Sequence, residues 1–178
     1  MHQKYPHIFS PITIGKGKMV FKNRIWTAPT GTHLLSAGEP YPTEAVIAHY
    51  REKARGGAAC ITFSCQNIDR LDLDNPVHSD PDIYNERYHN YWYRLTSAVH
   101  FFDARISLEL LAFGRHALDE NGNKILYSVN GEYDEETGEY LPMIPGEELE
   151  RMADDYAEAA ANAVKVGFDM IMLHFGHG

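Results

Sequence analysis

The 178-residue chain is long enough for one buried core, and its 44% hydrophobic and 12% aromatic content excludes a disordered or fibrous class. A formal net charge of −9, with no basic cluster, argues against a nucleic-acid partner. No stretch approaches the roughly 18 consecutive apolar residues of a membrane span, and the start lacks a signal peptide's apolar core, so no membrane partner and a cytoplasmic location are expected.

In chain order, residues 12–14 and 19–21 flank a Gly15 to Lys18 turn and predict a short β-hairpin. Residues 23–28 read as a first buried strand, stopped by Pro29, and a Gly- and Pro-rich loop runs from 30 to 42. Thr43 is a helix N-cap for a segment that continues to Arg55 and ends at Gly56-Gly57. Residues 58–64 form a second buried strand. Cys60 and Cys65 lie on it and at its exit, five apart and so on opposite faces, which makes a mutual disulfide improbable and fits a reducing compartment.

A polar loop to about residue 81 leads to an aromatic helix over 84–102, with Tyr84, Tyr88, Tyr91, Leu95 and Ala98 at helical spacing. Its tyrosines are read as packing, their hydroxyls at the rim. Residues 105–111 are a third strand. The stretch 119–142 is rich in Gly turns and reads as an excursion outside the framework. A helix over 146–166 presents an apolar stripe of Leu149, Met152, Ala153, Tyr156, Ala160, Ala163 and Val164, with Gly167 at its end. The acidic residues Glu147, Glu148 and Glu150 read as its solvated first turn. Residues 169–173 form a fourth strand, which delivers His174 and His177.

Alternating strands and helices mean a parallel sheet with right-handed crossovers. No G-x-G-x-x-G follows the first strand and no Walker A run is present, so a dinucleotide or P-loop fold lacks its signature. Four βα steps that stop after strand four fit the N-terminal half of a TIM (β/α)8 barrel carrying a short N-terminal hairpin. Residues 1–178 then form a single partial domain. A chain that stops beside two strand-end histidines is expected to be the front part of an enzyme, because such barrels handle ligands at the carboxyl ends of their strands.

The residues also carry a family likeness. Phe9 to Gly15 (FSPITIG) with Phe21 to Ile25 (FKNRI), the turn Ala28 to Thr32 (APTGT), Tyr50 with Ala54 to Gly57 (ARGG), Gly114-Arg115, and Gly167-Phe168-Asp169 leading to His174 to Gly178 (HFGHG) occur in order. In this the chain resembles the Old Yellow Enzyme family, in its NADH:flavin oxidoreductase and 2,4-dienoyl-CoA reductase branch. The resemblance implies FMN at the barrel mouth and NAD(P)H as reductant. It also implies hydride transfer to an alkene conjugated to a carbonyl, on an enone, enoate or enoyl-CoA substrate. A 4Fe-4S cluster would belong only to a region after residue 178.

By the same resemblance Ala28, Pro29 and Thr30 line the flavin, Cys65 sits near the ring's carbonyl side, and His174 and His177 bind the substrate carbonyl. The strand-three position that is usually Gln is Glu109, which can accept from the flavin N3–H but cannot donate when ionised. A core carboxylate paired to Arg115 or another base is the alternative reading of Glu109. The usual small residue between the histidines is Phe175, which either narrows the pocket or swings out of it. The family's phosphate-binding units lie beyond strand four, so the 178 residues alone are expected to bind FMN weakly and to be inactive.

Two other readings stand beside this one. An open half-barrel leaves its edge strands unpaired, so the chain could be a non-catalytic module that acts by self-association or with a partner. A metal-dependent TIM-barrel hydrolase would also use strand-end histidines, but Glu109 is the only carboxylate at hand and no metal is expected.

Overall fold

The computed structural model describes residues 4–31, 34, 38–71, 73, 81–112, 115–118 and 121–176, the stretch 115–118 by its backbone alone. The opening hairpin pairs β1 (Ile12–Ile14) with β2 (Met19–Phe21), Ile12 opposite Phe21. Gly15 and Lys18 take positive φ in its turn. Phe21 is buried with Ala59 and Cys60, and Ile12, Met19 and Met170 pack on that cluster. The hairpin thereby covers the end of the sheet opposite the histidines.

The framework is a parallel sheet in the order β10–β5–β4–β3, built from β3 (Trp26–Thr27), β4 (Cys60–Asn67), β5 (Arg105–Leu111) and β10 (Met170–Leu173). The first strand is shorter than expected. Asn23 accepts from the Ile25 N–H at 2.9 Å through its side-chain oxygen and donates to the Gly57 carbonyl at 2.7 Å, so residues 23–25 make a turn.

Helix α1 (Glu44–Arg55) starts at Thr43, whose hydroxyl accepts from the Val46 N–H, and buries Val46, Ile47, Tyr50 and Ala54. Helix α2 (His89–His100) follows a single 3₁₀ turn at Glu86–Tyr88. Its buried face is Trp92, Leu95, Thr96 and Val99, with Leu95 shared with the expected stripe and Tyr84, Tyr88 and Ala98 packed partly buried beside it. The indole of Trp92 fills the core and donates to the Asp82 carbonyl at 3.2 Å. Tyr88 and Tyr91 flank that face against Tyr41, and Tyr84, ahead of the helix, donates to the Ile68 carbonyl at 3.0 Å. Phe63 joins the layers, its ring 4.7 Å from Tyr50 and 5.1 Å from Trp92.

Two antiparallel ribbons stand between β5 and the last helix: β6 (Arg115–Leu118) with β7 (Lys124–Tyr127), and β8 (Glu132–Tyr133) with β9 (Tyr140–Leu141). Helix α3 (Gly146–Lys165) buries Ala159, Asn162 and Ala163, while Leu149 and Val164 are 51% and 69% exposed. Met152, Tyr156, Ala160 and Ala163 of the expected stripe face the core, while Leu149, Ala153 and Val164 at its edges stay exposed and Ala159 joins the buried face. Glu148 is buried and ion-paired with Arg151, which corrects the reading of a fully solvated first turn. After Gly167, at φ +93°, the Asp169 carboxylate accepts from His100 (2.7 Å), Arg105 (3.0 Å) and the Ile106 N–H (2.9 Å) and fixes the entry of β10. No described helix is long and apolar enough to cross a membrane.

Candidate functional site at the carboxyl ends of the strands

Strand β4 runs three residues past its expected end by means of a β-bulge. Phe63 faces Leu108 and Gln66 faces Leu110, so Ser64 and Cys65 together oppose the single residue Glu109. The one extra residue resets the alternation along the strand, so the expected opposite-face separation of Cys60 and Cys65 does not carry through it. Neither cysteine is in a disulfide, and burial pushes the Cys60 thiol up to about 12, Asp169 adding to the effect. A bulge of this kind re-aims side chains, here at the mouth of the sheet.

Tyr50, fully buried on α1, ties the bulge to the loop after β3. Its hydroxyl accepts from the Ser64 N–H at 3.0 Å and donates to the Thr30 carbonyl at 3.2 Å. Burial, with smaller contributions from Cys65 and Glu109, pushes the phenol up to about 12, so it stays protonated at neutral pH. Thr27 Oγ1 accepts from the Thr62 N–H at 3.2 Å, and Thr30 Oγ1 turns back to the Ala28 carbonyl at 3.3 Å. Ala28 and Thr30 are exposed and Pro29 half-buried. Together they make a small, largely apolar shelf beside the bulge.

Glu109 is 5% exposed, and its Oε1 lies 2.9 Å from Nδ1 of His174, whose side chain is 25% exposed. The partner of Glu109 is therefore a histidine on the next strand. The side chain of Arg115, the alternative partner, lies outside the described residues. The His174 N–H donates to the Leu110 carbonyl at 2.9 Å, which anchors the backbone as it leaves β10. Phe175 is 83% exposed and leans toward Tyr156 of α3, ring centroids 6.2 Å apart, so it swings out of the pocket. His177 lies outside the described residues.

The structure thus brings Ala28, Pro29, Thr30, Cys65, Glu109 and His174 to one end of the sheet. Sequence reasoning missed the bulge and the bracing role of Tyr50. The polar residues Gln66 and Asn67, continuing an apolar strand and fully buried, were the available signal for the longer strand. Among the described residues no three His, Cys, Asp or Glu side chains come together as a metal site.

A planar flavin ring fits this set. Ala28 and Pro29 offer a flat apolar surface, and the Glu109 carboxylate offers an acceptor for an imide N–H.

The sequence profile of the NADH:flavin oxidoreductase / NADH oxidase family matches residues 7–178. A chanoclavine-I aldehyde reductase of Penicillium roqueforti is 27% identical, the match covering 97% of this chain and 46% of the relative. A cinnamate reductase of Clostridium sporogenes is 28% identical over 99% of this chain and 27% of its own length. Among solved structures, the old yellow enzyme homologue of Zymomonas mobilis superposes with a TM-score of 0.71 at 27% identity, over 95% of this chain and 48% of that one. The chain spans under half the length of each. Its fold is that of the N-terminal half of their (β/α)8 barrel.

Proposed function

The chain belongs to the NADH:flavin oxidoreductase / NADH oxidase family, whose cofactor is FMN and whose reductant is NAD(P)H, and on that premise we propose that the protein reduces an alkene conjugated to a carbonyl. The observation that carries this reading is His174, set at the end of β10 by its backbone bond to Leu110 and held through Nδ1 by Glu109, at the same end of the sheet as Ala28 to Thr30. A hydrogen-bond donor placed there stabilises the oxyanion that develops on a conjugated carbonyl when hydride adds to the β-carbon. The cinnamate reductase relative favours the same substrate class.

In this reading FMN, when bound, supplies the hydride. Ala28 and Pro29 line its ring, Thr30 and Cys65 border its polar edge, and Glu109 accepts from its imide N–H. His174 and His177 hold the substrate carbonyl. The test is anaerobic. The flavin-loaded complete protein is reduced with NADPH or NADH and then mixed with a cinnamaldehyde or cyclohexenone probe. Return of the oxidised flavin absorbance with formation of the saturated product is expected; reduced flavin that persists with every conjugated probe would defeat the reading.

A second reading, in which the 178-residue chain acts by self-association alone, is favoured by one observation. Strands β3 and β10 terminate the described sheet, each with one hydrogen-bonding edge unused in it.

A further inference from the structure

We propose that two copies of this chain close on each other as one parallel barrel, β10 of each copy pairing with β3 of the other and the free flank of α3 packing on the α1 of the second copy. The inference rests on the self-association reading above, to which it gives a partner, a stoichiometry and a geometry.

The sheet has the form such a ring needs. Its order β10–β5–β4–β3 puts the last strand on one edge and the first on the other, all four parallel. A two-fold rotation about the barrel axis sets each β10 beside the other copy's β3 with the strands still parallel. Both seams are then identical and no edge is left for a third copy. Four strands from each copy make eight, the number at which side chains alone fill the interior of a barrel. Leu108, Leu110 and Ile171 belong to the core under the helices, so the alternate residues Ser107, Glu109, Met170 and Met172 take the inward face. Met170 and Met172 stand on the edge strand, in register with Ser107 and Glu109, and are half-buried. Flexible methionines suit a space that a second sheet completes.

The helical cover stops short at the same edge. Leu110 is fully buried, whereas Leu173, its register partner on β10, is 52% exposed. Helix α3 meets α2 and the loop after β4 along one flank, where Thr96 donates to the Val166 carbonyl and Asp155 and Glu158 pair with Arg70. On its other flank Leu149, Ala153 and Val164 are exposed, and Phe175 extends the apolar strip past Tyr156 toward the mouth. A parallel sheet is covered on both faces in a finished fold, and this strip is where its next helix belongs.

Charge selects the α1 of a second copy for that place. Ile47 and Arg51 line the groove that α1 shares with α2, so Ala45, His49 and Lys53 lie on its other flank. The apolar strip on α3 is bordered by the exposed carboxylates Glu150 and Asp154. Packing α3 on α1 therefore sets an acidic rim against a basic one. Packing α3 on α3, as a β10-to-β10 contact would, sets carboxylate against carboxylate in a chain that already carries a net charge of −9.

The test uses the 178-residue chain itself. Sedimentation equilibrium at micromolar concentration is expected to give two chains and nothing larger. Leu149→Glu and Val164→Glu alter side chains that a lone copy leaves in water. They should keep the far-ultraviolet circular dichroism and raise the dimer dissociation constant at least about 30-fold. Tyr93→Glu, in the groove between α1 and α2, should leave that constant unchanged.

Cysteine cross-linking reads the geometry. A short bismaleimide should join an Ala45→Cys copy to an Ala153→Cys copy when the two are mixed. Neither variant should link to itself beyond the level of the unaltered chain, which holds Cys60 and Cys65. A monomer at micromolar concentration overturns the self-association reading and the proposal together. Open-ended oligomers, a dimer that Tyr93→Glu breaks, or an Ala153→Cys copy that links to itself would leave self-association standing and overturn the closed barrel.

Discussion

The hydroxyl of Tyr50 accepts from the backbone N–H of Ser64 at 3.0 Å, so a side chain on α1 holds a bulge on β4. The same hydroxyl donates to the Thr30 carbonyl. One buried oxygen thus sets the spacing between the loop after β3 and the bulge after Phe63, the two segments assigned to the flavin.

Replacing Tyr50 by Phe keeps the ring against Phe63 and removes only that oxygen. The Ser64 N–H and Thr30 carbonyl lose their partner, and a cost of about 1–3 kcal/mol is expected from thermal or urea unfolding. Flavin affinity of the complete protein should weaken with it. Unchanged affinity and stability in Tyr50→Phe would show that the brace is not needed.

For the 178-residue chain alone, titration with FMN should give weak or undetectable binding by fluorescence quenching. The residues proposed to line the ring offer contacts to it alone, while the family resemblance puts the phosphate-binding units beyond strand four. Saturable micromolar binding would mean that the half-barrel suffices.

Asp169 sets an acid limit to stability. Burial works to raise its carboxyl, but hydrogen bonds from His100 and the Ile106 N–H, with Arg105, outweigh burial and hold it below its ordinary range. A depressed folded value contributes stability that is present above the unfolded value and is lost as pH falls through the folded one. Wild type should therefore exceed Asp169→Asn in thermal stability near neutral pH, and the gap should close below about pH 4. A gap that stays constant to pH 2 would contradict this.

Gly167 cannot take a side chain at low cost. Its φ is +93°, and a Cβ would come within 2.8 Å of Thr96 Oγ1, which itself donates to the Val166 carbonyl at 2.7 Å. Gly167→Ala should lose about 1–3 kcal/mol in chemical denaturation, and a Thr96→Ser background should recover little, because the hydroxyl oxygen stays.

Sedimentation of the chain tests its two sheet edges. With β3 and β10 terminating the described sheet, dimers or larger species are expected at micromolar concentration. A clean monomer would remove the argument for self-association.

Much of the framework was legible because local chemistry decided it. The hairpin at residues 12–21, the Thr43 cap, the strand at residues 105–111 and the Gly167 stop follow from capping, turn and period rules that act within a few residues. The motif order likewise located the family and the strand-end positions of Ala28 to Thr30, Cys65, Glu109 and His174. What failed were the quantities set by neighbours distant in sequence. Trp92, absent from the expected stripe, took the centre of the α2 face, Leu149 and Val164 of the α3 stripe stayed exposed, and Glu148 went under the surface with Arg151. The Tyr50 hydroxyl holds the β4 bulge from α1, and the partner of Glu109 lies 65 residues downstream. Sequence by itself determined which residues stand at the strand ends, through periodicity and turn chemistry. Only the tertiary structure decided which of them pair, because a hydrogen bond depends on a separation of about 3 Å between side chains from different strand ends and not on their spacing along the chain.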